Sequence, residues 1–275
     1  MQWKDGRRSG NVEDRRGRRF PGGARGLGAG AVVLALIAFF VTKDPTALLS
    51  LLGGSSEVVA SSERPTTPEE ERLADFVSVV LADTEDTWNA LFRERGGEYR
   101  EPTLVLFRDG VESACGTQSS AVGPFYCPGD ARVYLDLGFF EELHARFGAP
   151  GDFAQAYVIA HEVGHHVQNL IGATQMQARG DSQNQTSVRV ELQADCFAGV
   201  WGHTAQASLQ IDEADLSEAL NAAHQIGDDT LTQGRADSSQ FTHGSSAQRM
   251  RWFRRGFDTG DARQCDTFGV GANQL

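Results

Sequence analysis

Five consecutive residues, His161-Glu162-Val163-Gly164-His165, hold two imidazoles and a carboxylate at a spacing that suits a metal ion. On a helix, positions i and i+4 share a face and lie about 5–6 Å apart at Cβ. Two imidazole nitrogens on such a face converge on one ion. Glu162 stands one residue beyond the first histidine, where its carboxylate reaches a water on that ion and takes its proton. His166 is rotated by about 140° from His161 around the helix axis and belongs on another face.

Two imidazoles do not complete a catalytic zinc site, which uses three protein ligands and an open position for water. The metzincin arrangement requires a glycine and a third histidine at fixed offsets after the second. Here those offsets hold Gln168 and Ile171, which excludes it. The other arrangement takes a glutamate from a second helix. Residues 187–207 read as that helix, with Glu191 and Asp195 at i and i+4. Glu191 is the expected third ligand. Asp195 is expected to accept the outer N–H of His161, fixing its tautomer and raising its basicity. A solvated acidic face is the plain alternative. Its neighbours Leu192, Ala194, Cys196, Phe197, Val200 and Trp201 speak against it, because buried carboxylates need partners.

Other elements must hold these two helices. Residues 152–171 read as the first, with Asp152 as its N-cap. Upstream, Thr67-Pro68-Glu69-Glu70 is a capping box with proline at the first helical position. An apolar stripe from Leu73 to Phe92 follows at helical spacing, and Gly96-Gly97 ends it. Residues 103–107 and 132–137 read as strands. Together these give an α+β domain, mainly helical with a small sheet. The four cysteines, 115, 127, 196 and 265, allow three pairings. Cys115–Cys127, closing a short Gly/Ser-rich loop, with Cys196–Cys265, is the favoured one. No C-x-x-C occurs, which argues against cysteine-bound zinc.

The chain has 275 residues, 40% hydrophobic and 23% charged, enough apolar surface for a folded core. Its net charge of −12 argues against a nucleic-acid partner. The charge is uneven. Residues 1–26 hold eight basic and three acidic side chains, a net +5, against −17 for the remainder. Residues 26–42 carry no charge and, as a helix, extend about 25 Å, the short end of what crosses a membrane. Basic residues crowd their N-terminal side. The positive-inside rule then places residues 1–25 as a cytoplasmic tail, 26–42 as one transmembrane helix, 43–66 as a stalk and 67–275 as an extracytoplasmic domain. No A-x-A-like cleavage site follows the apolar run.

The blocks HEVGHHVQ, ELQADCFAGVW, IGDD (226–229) and FTHGSSAQR (241–249), with GPFYCPGDARVYLDLGFFEEL (123–143) before them, resemble the bacterial neutral zinc metallopeptidase family of membrane proteins. The resemblance spans roughly residues 68–268 and implies a gluzincin-like domain, two site helices beside a small twisted sheet. It implies Zn²⁺ held by His161, His165 and Glu191, a peptide or protein substrate, Glu162 as general base and a single-pass anchor in the bacterial cell membrane. His243 is the first candidate donor to the oxyanion, Tyr157 the second. By analogy with gluzincins, strand 132–137 is expected to pair with an extended substrate. Two other readings are a membrane-tethered binding or scaffold domain with a non-catalytic zinc, and a zinc hydrolase acting on something other than peptides. Oligomeric state is left open by the sequence.

Overall fold

The computed structural model of the protein describes residues 1–17, 65–145 and 151–275. One sheet takes its strands in the order β1 (Val12–Asp14), β2 (Thr103–Phe107), β6 (Arg132–Asp136) and β5 (Phe125–Cys127). The first three are parallel, and β5 runs antiparallel to β6. A hairpin of β3 (Gly110–Ser113) and β4 (Gly116–Ser119) carries Cys115 in its turn, and the Cys115–Cys127 disulfide ties it to β5. Side chains alternate across the sheet as a two-residue period requires. Leu104, Leu106, Val133 and Leu135 enter the main core, while Val105, Phe107 and Tyr134 pack on the other face with Val111 and Cys127. Because β6 is paired on both sides over Arg132–Tyr134, its backbone there is closed to an extended peptide, contrary to expectation. The outer strand on that side is β5.

On the core face lies α1 (Pro68–Glu94), capped by Thr67 with the reciprocal Glu70 bond read from the sequence. After α2 (Gly138–Ala145) comes α3 (Asp152–Ile171), which carries the two spaced histidines. Asp152 is not its N-cap. Gly151 takes that position, and the Asp152 carboxylate instead accepts the indole N–H of Trp3 at 2.8 Å. The long α4 (Gln183–Ser208) starts earlier than expected, at a Ser182–Gln185 capping box. α5 (Glu213–Gln225), the single turn α6 (Asp228–Leu231) and α7 (Ser246–Thr259) complete the helical layer.

Two helix contacts bring backbones together. A Cβ on Gly164 would stand 2.9 Å from the Ala194 carbonyl oxygen, so α3 touches α4 directly at the H-E-x-x-H turn. A Cβ on Gly256 would stand 2.0 Å from the Cys196 oxygen, and one on Gly199 2.1 Å from the Phe253 oxygen, so α4 and α7 need glycine on both sides. The Cys196–Cys265 disulfide joins α4 to the segment after α7.

The described part of the basic segment is no separate tail. β1 pairs in register with β2, Val12 opposite Leu104. Trp3 is buried and meets Phe76 edge-on at 5.3 Å between ring centroids. Arg8 pairs with Asp75 and Arg7 with Glu85 and Asp86 on α1. The expected span 26–42, and the expected stalk up to residue 64, lie outside the described residues. Among the described residues no helix is long and apolar enough to cross a membrane. Residues on both flanks of 18–64 pack into one body. A single crossing that leaves residues 1–17 and the domain on opposite faces would have to break this packing.

This packing fixes the relative sidedness of the two ends. Cysteines introduced singly at exposed Lys4 and exposed Glu94 should react alike with a membrane-impermeant maleimide applied to intact cells. Labelling of one and protection of the other would restore the crossing.

Candidate metal centre

His161 and His165 leave the same face of α3, their ring centroids 4.7 Å apart and their planes nearly perpendicular. Glu191 reaches them from α4, with Oε2 at 3.2 Å from His161 Nε2 and Oε1 at 3.5 Å from His165 Nε2. One ligand atom from each of the three lies within 4.8 Å of the others. Tetrahedral zinc with ligands at about 2.0–2.1 Å places its donor atoms about 3.3 Å apart, so the cluster fits the ion. The hydrogen bonds fix which nitrogens are free. His161 Nδ1 donates to Asp195 Oδ1 at 2.8 Å, and His165 Nδ1 donates to Gln168 Oε1 at 2.8 Å. In the neutral form of each ring the proton therefore sits on Nδ1, and Nε2 is the nitrogen aimed at the common point. His166 faces elsewhere, between Tyr126 and the Arg100 carbonyl, as the helical rotation required.

Behind His161 lies a buried network only half foreseen in the sequence. Asp195 has no solvent exposure, yet it accepts from His161, from the Tyr157 hydroxyl at 2.6 Å and from Arg249 Nε and Nη2, both at 2.9 Å. Burial works against the Asp195 charge, but Arg249 and His161 outweigh it and hold this carboxyl below its usual range. Burial also opposes a charged His161, and Asp195 overrides it, raising the ring to about 10. Glu191 is held well below the carboxylate range, since the nearby histidines outweigh its burial. Tyr157 is pushed far up, first by burial, so its hydroxyl keeps the proton it donates to Asp195. That bond corrects the expectation of Tyr157 as an oxyanion donor, because its O–H is already committed inside the core. Arg249 went unassigned in the sequence reading, although it ends the FTHGSSAQR block. It sits one turn into α7, ahead of buried Trp252 and Phe253, as an ordinary helix cation would.

A cavity of about 560 Å³ opens over these ligands. Phe125 and Tyr126 of β5, Phe139 and Val158 give it apolar walls, and Glu162 and His243 bring polar groups to it. Among the described residues, the Glu162 carboxylate has no hydrogen-bond or ion-pair partner, and it lines the cavity beside the ligands. His243 is half-exposed, with Nδ1 at 3.1 Å from Asp228 Oδ1. Asp228 is itself fixed, its Oδ2 accepting the backbone N–H groups of Thr242, His243 and Gly244. This is what the IGDD block does: it builds the loop that presents His243. Bonding to Asp228 raises His243 above its ordinary value, and burial opposes it. Both expected disulfides are present, and among the described residues no cysteine is free.

Removing one member of a buried charge pair leaves the other without compensation, at a cost of about 3–5 kcal/mol. Arg249→Met should destabilise the fold by about that amount in denaturant titration, through the exposed deficit on Asp195. A change within about 0.5 kcal/mol, ordinary for a surface site, would remove Arg249 from the network.

Residues 1–268 match the family described as "Putative neutral zinc metallopeptidase". The Escherichia coli K12 protein YpfJ is 47% identical over 98% of this chain and 99% of its own length. The Mycobacterium tuberculosis protein Rv2575 is 42% identical, covering 71% of this chain and 72% of its own. Both are named as uncharacterized proteins, so the likeness carries a family and no substrate. No solved structure matches the chain.

Proposed function

The chain belongs to the neutral zinc metallopeptidase family, and from that premise we propose that it hydrolyses peptide bonds with Glu162 as general base. One observation carries the reading. Three ligands meet at a cavity, and a second carboxylate, that of Glu162, stands beside them unpaired among the described residues. A structural zinc site would be closed by four protein ligands. Among the described residues the cluster has three, which favours an enzyme over a binding or scaffold domain.

His161, His165 and Glu191 would hold Zn²⁺, which when bound supplies a Lewis acid that polarises a carbonyl and acidifies a water. The chain's own groups do the rest. Glu162 takes the proton from the attacking water and delivers it to the leaving nitrogen. His243 donates to the oxyanion as charge develops there. Its Nδ1–H is spent on Asp228, so donation from Nε2 requires the charged imidazolium. Asp195, Tyr157 and Arg249 keep His161 in the tautomer that binds. The apolar walls from Phe125, Phe139 and Val158 suit an extended peptide carrying apolar side chains. The two disulfides support an oxidising, extracytoplasmic compartment for the folded body, residues 1–17 included.

Ligand and base should separate in metal analysis. His161→Ala, His165→Ala and Glu191→Ala should each lose zinc, while Glu162→Gln keeps it and loses about 10²–10⁴-fold in peptide turnover. Full zinc stoichiometry in Glu191→Ala would remove it from the ligand set, and undiminished turnover by Glu162→Gln would remove the base.

The pH profile tests His243. Asp228 holds its folded pKa above the ordinary value, so the charged donor persists on raising pH and is lost only above that value. Asp228→Asn should therefore move the basic limb of kcat/KM to lower pH. A limb that stays in place would assign the oxyanion donor to another group.

A further inference from the structure

We infer that Gln168 and Gln193 form an amide relay that positions ligand His165 and anchors it to the disulfide-held C-terminal segment. The inference rests on the zinc reading above and goes beyond it. Gln168 lies at i+3 from His165, on the same stripe of α3. It is fully buried, and Gln193 of α4 is nearly so. A buried amide must satisfy both its ends. Gln168 Nε2 donates to the Val190 carbonyl at 2.7 Å and to Gln193 Oε1 at 3.0 Å. Gln193 Nε2 donates to the Cys265 carbonyl at 2.9 Å.

The direction of this chain follows from its ends. A backbone carbonyl only accepts, so Val190 fixes the NH₂ side of Gln168 and Cys265 fixes the NH₂ side of Gln193. Gln168 is left with its oxygen facing His165 Nδ1, at 2.8 Å. That oxygen also only accepts, so the proton of His165 sits on Nδ1 and the lone pair on Nε2. The tautomer that binds metal is thus written by two backbone carbonyls through two side-chain amides.

The far end of the relay is itself held. Cys265 is disulfide-bonded to Cys196, one residue beyond Asp195 on α4. Further along, buried Arg189 donates to the carbonyls of Thr267 and Val270, and the Thr267 hydroxyl donates to the Arg189 carbonyl. The segment around Cys265 is therefore a strap along the back of α4. The two ligand histidines are backed differently. His161 meets a carboxylate that raises its basicity, whereas His165 meets a neutral amide that orients the ring and adds no negative charge. This leaves the site with one fewer anion behind it, which favours polarisation of a bound carbonyl.

Gln168→Met keeps the volume and removes both polar ends. In the full chain, zinc affinity measured by competition with a chromophoric chelator should fall about 10–100-fold, the usual effect of losing an outer partner of a ligand histidine. Gln193→Met, which cuts the relay one step back, should weaken zinc in the same direction by less. The Co²⁺-substituted protein gives a second readout. Its visible ligand-field bands should shift in Gln168→Met, because the His165 ring is freed to turn. A purely structural role would lower the melting temperature while leaving the affinity and the cobalt bands of the folded protein unchanged, and that result overturns the relay. Absence of zinc binding by the wild-type chain would overturn both the relay and the zinc reading. Zinc bound tightly by wild type and Gln168→Met alike would overturn the relay alone.

Discussion

A carboxylate with no access to water must be compensated where it stands, and Asp195 is that carboxylate. Its compensation comes from two other helices at once: Tyr157 and His161 from α3, Arg249 from α7. None of the four is well placed unless all are. Arg249 has to be present to neutralise Asp195, and Asp195 has to be charged to hold the His161 proton on Nδ1. The metal-binding tautomer is thus a consequence of how three helices neutralise one another. A buried ion pair contributes little net stability by itself, since desolvation offsets most of the attraction. What it contributes here is a single allowed arrangement, because any slip between α3, α4 and α7 strands a charge.

That arrangement requires the helices to come closer than side chains normally permit. Gly164 lets α3 rest on the α4 backbone at the motif, and Gly256 and Gly199 do the same between α4 and α7. A third imidazole supplied further along α3 would not need such contact. A glutamate from α4 does, because its short reach sets the spacing of the helix axes. The glycine inside H-E-V-G-H therefore carries a packing demand that comes from the choice of third ligand.

The sequence made the first layer of this site legible and much of the second layer not. His161, His165 and Glu191 are set by helical spacing, which is a local property, and they meet as expected. Asp195 was legible for the same reason, being one turn from Glu191 on a helix with an apolar surround. Arg249 and Gln193 act across long sequence separations. Nothing in their own segments distinguishes them from an ordinary helix cation and an ordinary helix amide. Gln168 was in view only as a failed position for a different metal arrangement, and its use at i+3 depends on α4 lying against it. Asp152 was misassigned for a similar reason. A capping residue and an acceptor for a distant indole look alike until Trp3 arrives.

The N-terminal segment shows how a charge pattern can carry two meanings. Its excess of arginine before an apolar run reads as a cytoplasmic flank, because that rule counts charge without asking where it is paired. In the fold, Arg7 and Arg8 meet carboxylates of α1, Arg16 meets Asp14 and Glu71, and Arg132 of β6 reaches back to Glu13 on β1. Among the described residues of the segment, Arg7, Arg8 and Arg16 are thus counterparts of an acidic helix face. The segment's strand alternation is only three residues long, too short to register as β structure, and its partner β2 lies some ninety residues on. A parallel strand of that length has no stability alone. It forms because Trp3 fills the core beside Phe76 and because β2 would otherwise expose an open edge next to the carboxylate-lined surface of α1. The apolar run therefore joins two parts of a single folded unit, and any account of how this protein meets a membrane has to begin from both of its ends lying on the same body.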